Sequence, residues 1–311
     1  TLAHCVPPTK PISDKAFLRT QLLNACKIYR ELRTPNGLYR DKLRRNAKQK
    51  SNTVSVANVG VGLISLCIED EMKFSLTAAV KAQVLATLKL INGKTAFKPP
   101  RSKNGFFRHF FDYRNANGKS EFSTIDTSIL MAGAIFAYNH FDSPEIRAEV
   151  KTLWDSIAWK DALADRKTCK LYMIMSDAGQ GSAHTKPFSE YILLAWYVYK
   201  DLGLKEDFFV FYPKPDWTAK FTPKTSKEHL LAARRNHSQS SFTSQFAYYL
   251  CAPCQTSAPF RQYLLNQIAA EKAFWKPHHT TYYGCGAGPA LKGYHADAIE
   301  LNPDLIVSPH I

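Results

Sequence analysis

Apolar residues return every three or four positions along most of this chain, the spacing of helices that bury one face. From Lys15 to Leu32 the repeating positions are Leu18, Leu22, Ala25, Cys26 and Tyr29, and Thr34-Pro35-Asn36-Gly37 closes the run in a turn. Ser75 is placed to cap a run carrying Ala78, Ala79, Ala82, Leu85, Ala86 and Leu88, which Asn92-Gly93 stops. Comparable patterns predict helices over Val54 to Cys67, Ser123 to Tyr138, Pro144 to Trp159, Ser189 to Leu202, Ser226 to Arg235, Phe242 to Cys251 and Pro259 to Phe274. Pro144, after Ser143, takes the first helical position, where its missing N–H costs nothing. Eight or more helices without regular strand alternation between them predict an all-α class. No fixed-period repeat, low-complexity tract or Pro/Ser linker divides the chain, so a single domain over 1–311 is expected.

The connections are uneven. Lys94 to Ser120 is a long link with an aromatic centre, Phe106-Phe107-Arg108-His109-Phe110-Phe111-Asp112-Tyr113, and a turn at Asn115-Ala116-Asn117-Gly118. It reads as a hairpin or an ordered loop, and long loops built from buried-type residues tend to carry function. A second such stretch, Gly-rich and aromatic, runs from Tyr282 through Tyr294.

Composition narrows the class. A hydrophobic share of 45% and a charged share of 22% are those of a globular protein, and no stretch approaches the ~20 apolar residues of a membrane span. The net charge of +15 implies an attraction to polyanions that salt would weaken. Its basic runs, Arg40 to Lys50 and Lys98 to Arg108, lack any nucleic-acid recognition module and read as a solvated basic face, so no nucleic acid is expected as partner. Seven cysteines, an odd number, leave at least one thiol free or paired outside the chain. Cys251-Ala252-Pro253-Cys254 reads as an incidental pair or a disulfide rather than a catalytic motif, and the isolated histidines predict neither a metal nor another cofactor. The opening Thr1-Leu2-Ala3-His4, without initiator Met or signal pattern, reads as a trimmed or processed chain.

Carboxylates beside aromatic residues are the candidate chemistry. Glu121 and Asp126 lie in Ser120-Glu121-Phe122-Ser123-Thr124-Ile125-Asp126-Thr127, and Glu190 in Pro187-Phe188-Ser189-Glu190-Tyr191. Each has a structural alternative. Ser123 and Asp126 have capping-box spacing, and Glu190, after a Ser189 cap, would suit a helix dipole. Glu121 precedes the cap and has no evident structural duty.

Asn104-Gly105-Phe106-Phe107-Arg108-His109-Phe110, followed by Ser120 through Ala134, resembles the "G-F-hydrophobic-x-H-F … S-E-x-S-T-I-D-T-A-L-L-x-A-G" pattern of glycoamylase-like domains. Phe188-Ser189-Glu190-Tyr191-Ile192-Leu193 is similar to that family's "F-x-E-Y-hydrophobic" helix. Tyr283 to Pro289 with Gly293-Tyr294 resembles its late "W-G-x-x-A-x-x-G-P … G-Y" loop, and Pro35 to Leu38 with Val54 to Leu66 resembles its opening. The resemblance covers most of the chain in matching order. It implies an (α/α)6 toroid with a few short strands or hairpins in its loops, whose central pit holds a glycan. It also implies that Glu121, Asp126 and Glu190 line the pit, with His109, Asp112, Tyr191 and Tyr294 binding the sugar. Glu190 is the expected proton donor and Glu121 the second carboxylate, or the reverse.

The resemblance further implies a periplasmic or secreted hydrolase acting endo on β-1,2-glucan, possible acid substituents on that glucan matching the basic surface. A transglycosylase, a hydrolase of another β-glucan, and a glycan- or polyanion-binding toroid without activity are the alternatives.

Overall fold

The computed structural model describes residues 13–43, 51–185, 187–213, 216–221, 229–234, 237–238, 240–275, 287–290 and 293–296. The chain falls into two compact units, Thr1–Ile157 and Ala158–Ile311.

The first unit is built on helices α1 (Asp14–Leu32), α2 (Val56–Glu71), α3 (Thr77–Ile91), α4 (Thr124–His140) and α5 (Pro144–Asp155), with short strands β1 (Thr53–Ser55), β2 (Phe110–Asp112) and β3 (Phe122–Ser123). At its centre α2 packs on α4. Both helices are buried on more than one face, as a core helix must be. Their backbones touch: a Cβ added to Gly133 would lie 2.0 Å from the Gly60 carbonyl oxygen, and one on Gly60 2.2 Å from that of Ile129. Only glycine permits this approach. At the far end of the pair, His140 Nε2 lies 2.8 Å from Asp70 Oδ2, and the Thr77 hydroxyl donates to the other oxygen of that carboxylate. Burial alone would raise the Asp70 carboxyl, but the hydrogen bonds from Thr77 and His140 hold it below its usual range.

Outside this pair, α3 buries Val80, Val84, Leu88 and Ile91 and ends at Asn92-Gly93, where Gly93 takes a φ of 68°. α5 starts as expected, with the Ser143 side chain accepting from the Ile146 N–H and Pro144 in the first turn. Two expectations need correction. Ser75 does not cap α3. Its hydroxyl donates to Glu69 Oε2 (2.7 Å) and accepts from Arg30 (3.0 Å), tying it to the Arg30–Glu69 ion pair, and Leu76 stands at the cap instead. In α1, Cys26 is buried, but Leu18 and Leu22 are 59% and 37% exposed. The buried residues of the helix are Cys26 and Leu32, while the exposed Arg19 donates to the Met72 carbonyl at 2.9 Å and covers the Phe74 ring, and Arg30 pairs with Glu69.

Residues 44–50 of the first basic run lie outside the described residues; in the described parts Lys42, Lys98 and Lys103 are exposed as expected, but two arginines are not. Arg40 is buried and donates to the carbonyls of Leu32, Arg33 and Ser51. Arg101 donates to the Ile91 carbonyl and lies over Phe107, its guanidinium pulled down to about 10 by burial.

The second unit adds α6 (Ile192–Asp201), α7 (Phe208–Phe211), α8 (Ser241–Leu250), α9 (Ala252–Thr256) and α10 (Ala258–Trp275), and a 3₁₀ turn at Trp159–Ala162. It also holds more strand than the spacing predicts. β5 (Lys170–Met175) is flanked antiparallel by β4 (Leu163–Asp165) and β6 (Gly181–Thr185). β8 (His229–Arg234) lies between β7 (Asp216–Phe221) and β9 (His237–Ser238), and β10 (Ala287–Ala290) pairs with β11 (Gly293–Ala296). The helix expected over Ser226 to Arg235 is therefore strand where it is described, because pairing with β7 and β9 overrides the local helical spacing. The molecule is mostly helical with short antiparallel strands. α6 begins at Ile192 rather than at Ser189, and seven of its residues are buried. Cys251 and Cys254 are buried free thiols, not a disulfide.

Candidate active site

The long link from Lys94 to Ser120 is an ordered loop, and its aromatic centre is what builds the site. Phe106 and Phe107 are fully buried anchors. From there the chain runs antiparallel to the segment before α4. The Ser123 N–H donates to the Phe107 carbonyl (3.0 Å) and the His109 N–H to the Glu121 carbonyl (2.9 Å), on either side of the bridge between Arg108 and Phe122. This register sets His109 opposite Glu121, so their side chains leave the same face. The result is a contact of 2.8 Å between His109 Nδ1 and Glu121 Oε1.

Neighbouring interactions hold both partners. The His109 ring stacks on Phe110, centroids 3.6 Å apart, and its carbonyl accepts from the Val56 N–H at the start of α2. Ser120 Oγ accepts from the Phe110 N–H (2.8 Å) and donates to the Phe110 carbonyl (3.1 Å). Arg108 donates to the Ser120 carbonyl and lies 4.2 Å over the Phe122 ring.

Asp126 reaches the same imidazole from the other side, its Oδ1 3.5 Å from His109 Nε2. The capping reading of Ser123 and Asp126 is half of the answer. Ser123 Oγ accepts from the Asp126 N–H (3.2 Å), as an N-cap does, and its hydroxyl donates to Asp126 Oδ2. In a capping box the acid would take the N–H of the cap residue. Here that N–H is already bonded to Phe107, which leaves Asp126 Oδ1 for the histidine.

The two carboxyls differ in surroundings, the Glu121 side chain being 36% exposed and that of Asp126 13%. Burial pushes the Asp126 carboxyl up; His109 and Ser123 pull partly the other way, and Glu121 adds to the rise. The cluster thus joins a solvent-facing acid, an imidazole and an enclosed acid that favours its protonated form.

Of the other expected site residues, Asp112 lies in β2 opposite Thr53 and is engaged within its own turn, accepting from the Arg114 side chain at 2.7 and 3.1 Å and from the Arg114 N–H at 2.8 Å. Those bonds hold its carboxyl below the usual range. Glu190 and Tyr191 belong to the second unit. Glu190 is half-buried in the turn before α6, its carbonyl accepting from the Leu193 N–H, and Tyr191 is a buried residue at the α6 cap. Ser189 beside them is buried, its N–H donating to the Tyr212 hydroxyl at 3.2 Å, and burial raises that phenol. Tyr294 is paired with Pro289 in β11, while its side chain and residues 276–286 lie outside the described residues. Ser120 and Arg108, which fix the loop, were not singled out by sequence; only the cross-strand register reveals their part.

No family model and no curated protein matches the sequence. Solved structures do. An endo-β-1,2-glucanase from Chitinophaga pinensis, in complex with sophorotriose and glucose, is similar over 92% of this chain and 76% of that one, with a TM-score of 0.72 and 15% identity. A β-1,2-glucanase from Parabacteroides distasonis is similar over 93% of this chain and 46% of that one, with a TM-score of 0.73 and 14% identity. A glucoamylase candidate from Bacteroides uniformis is similar over 93% and 74%, with a TM-score of 0.70 and 16% identity. The chain therefore has the fold seen in glucoamylase-like and β-1,2-glucanase structures, as the sequence patterns around His109, Glu121 and Asp126 imply.

Proposed function

We propose that this chain is a glycoside hydrolase that cleaves β-1,2-glucan internally, using carboxylic acids and no metal, on an (α/α)6 toroid. The observation that carries the reading is the Glu121–His109–Asp126 cluster at the start of α4. Glycosidases separate acid from base by giving two carboxyls unequal environments, and this cluster holds one enclosed and one open acid. Similarity in fold to two β-1,2-glucanases supports the substrate class. A periplasmic or secreted location suits a polymer substrate.

Two residues compete for the proton-donor role, Asp126 because burial favours its protonated form and Glu190 because of its motif. Glu121 would then activate water or attack the sugar. Purified protein mixed with linear β-1,2-glucan should release short oligosaccharides resolved by size. Glu121→Gln should reduce kcat by about 10²–10⁴-fold, the range of general acid–base catalysis. Repeating Asp126→Asn and Glu190→Gln on an aryl glycoside separates the candidates, since a good leaving group needs no proton and restores only the variant that lacks the donor. Product from a glucan of another linkage would move the substrate class; polymer lengthening would indicate transglycosylation. Binding without turnover on any linkage would leave a glycan-binding toroid.

A further inference from the structure

A cavity of about 420 Å³ opens between α4 and α5, well away from the acid cluster. Ile135, in its lining, is nine residues beyond Asp126, which is two and a half turns and so the opposite side of α4. Its volume falls within the range of small-ligand sites, roughly 300–1,000 Å³.

Its lining has three parts. Met131, Ile135 and Val150 give an apolar floor. Tyr138, 40% exposed and with the Arg147 guanidinium 5.6 Å from the centre of one ring face, and Trp154, half-buried, contribute rings. Asn139, Lys151 and Asp155 supply polar groups, and the last two are paired at 2.6 Å. The paired charges cancel, which favours neither an anion nor a cation. Flat rings with an apolar floor suit the C–H faces of a pyranose, and an amide, an ammonium and a carboxylate suit its hydroxyls. The charged side chains at the mouth are exposed, so a polymer can enter and leave without an end.

We propose that this cavity is a secondary carbohydrate site that holds a short stretch of neutral glucan against Trp154 and Tyr138. Its choice of glucan rests on the hydrolase reading above. Such a site would keep the polymer on the enzyme between cuts, raising the local substrate concentration by a second point of attachment.

The test is electrophoresis through gels containing linear β-1,2-glucan, with the wild type, Trp154→Ala, Tyr138→Ala and Asp126→Asn. Asp126→Asn, which leaves the gel glucan uncut, serves as the background in which either aromatic substitution should lower affinity about tenfold, with circular dichroism checking the fold and Trp154→Phe recovering most of the retention. In turnover assays, Trp154→Ala should lower the ratio of polymer to short-oligosaccharide activity about tenfold. Equal retardation with and without the two aromatic substitutions overturns the site. So does a fall in oligomeric mass on Trp154→Ala with glucan retention intact, which would make the groove a protein contact. Aromatic-dependent retention in a protein that hydrolyses nothing would support the site and sink the hydrolase.

Discussion

Asp126 serves two structures with one side chain: the first turn of α4 through Ser123 and the imidazole of His109. Because burial raises its carboxyl, the folded protein holds that proton more tightly than the unfolded chain does. Between the unfolded value near 3.8 and the higher folded value, the native state binds more protons, so stability should rise as pH falls through that window. Above it, the charged carboxylate is a cost that Asp126→Asn removes. The variant should therefore resist urea better than the wild type near neutral pH, lose that advantage in acid, and turn over far less substrate. A variant less stable at neutral pH would contradict the burial argument. At this scale the sequence was informative where partners are local. Ser123 and Asp126 are three apart and could be read as a cap. The His109–Glu121 contact spans a loop and depends on the register of 107–109 against 121–123, which no local spacing encodes.

Elements follow the same division. Helices α4 and α10 start and stop close to the expected bounds and α5 starts on its Ser143-Pro144 cap, because those signals act within one turn, but α5 stops at Asp155, four residues short of the expected Trp159. Strand β8 was hidden behind a helical spacing, and β4 to β6 had no period to announce them, since their partners are set by pairing along the meander. The spacing carried no sign of the α2–α4 contact, and the closeness of Gly60 and Gly133 appears only once the helices are packed. Gly133→Ala would drive a methyl group into the Gly60 carbonyl and force the pair apart. A loss of about 1–3 kcal/mol is expected, as for other overpacked cores, measured as the urea midpoint. Turnover should fall with it, since Asp126 rides on α4. Unchanged stability would mean that the helices part at little cost.

For the whole molecule, charge and fold make separate statements. Three arginines of the basic runs, Arg40, Arg101 and Arg108, are spent on carbonyls and rings, yet the chain still carries a net +15. If that surplus draws acid-substituted glucan, KM for a succinylated β-1,2-glucan should rise several-fold as salt shortens the reach of surface charge, while KM for the neutral polymer stays level. Equal salt response of both would remove charge from substrate choice.

The glycine contact between α2 and α4 bears on how such a protein can diversify. With carbonyl oxygens as the abutting parts, any side-chain atom added at Gly60 or Gly133 would wedge the pair, so exchange is barred there and the acid at the head of α4 inherits a fixed footing. Change that spares this footing would then fall on the exposed turn of the aromatic link, at Arg114, Asn115 and Asn117, rather than on the buried Phe106 and Phe107.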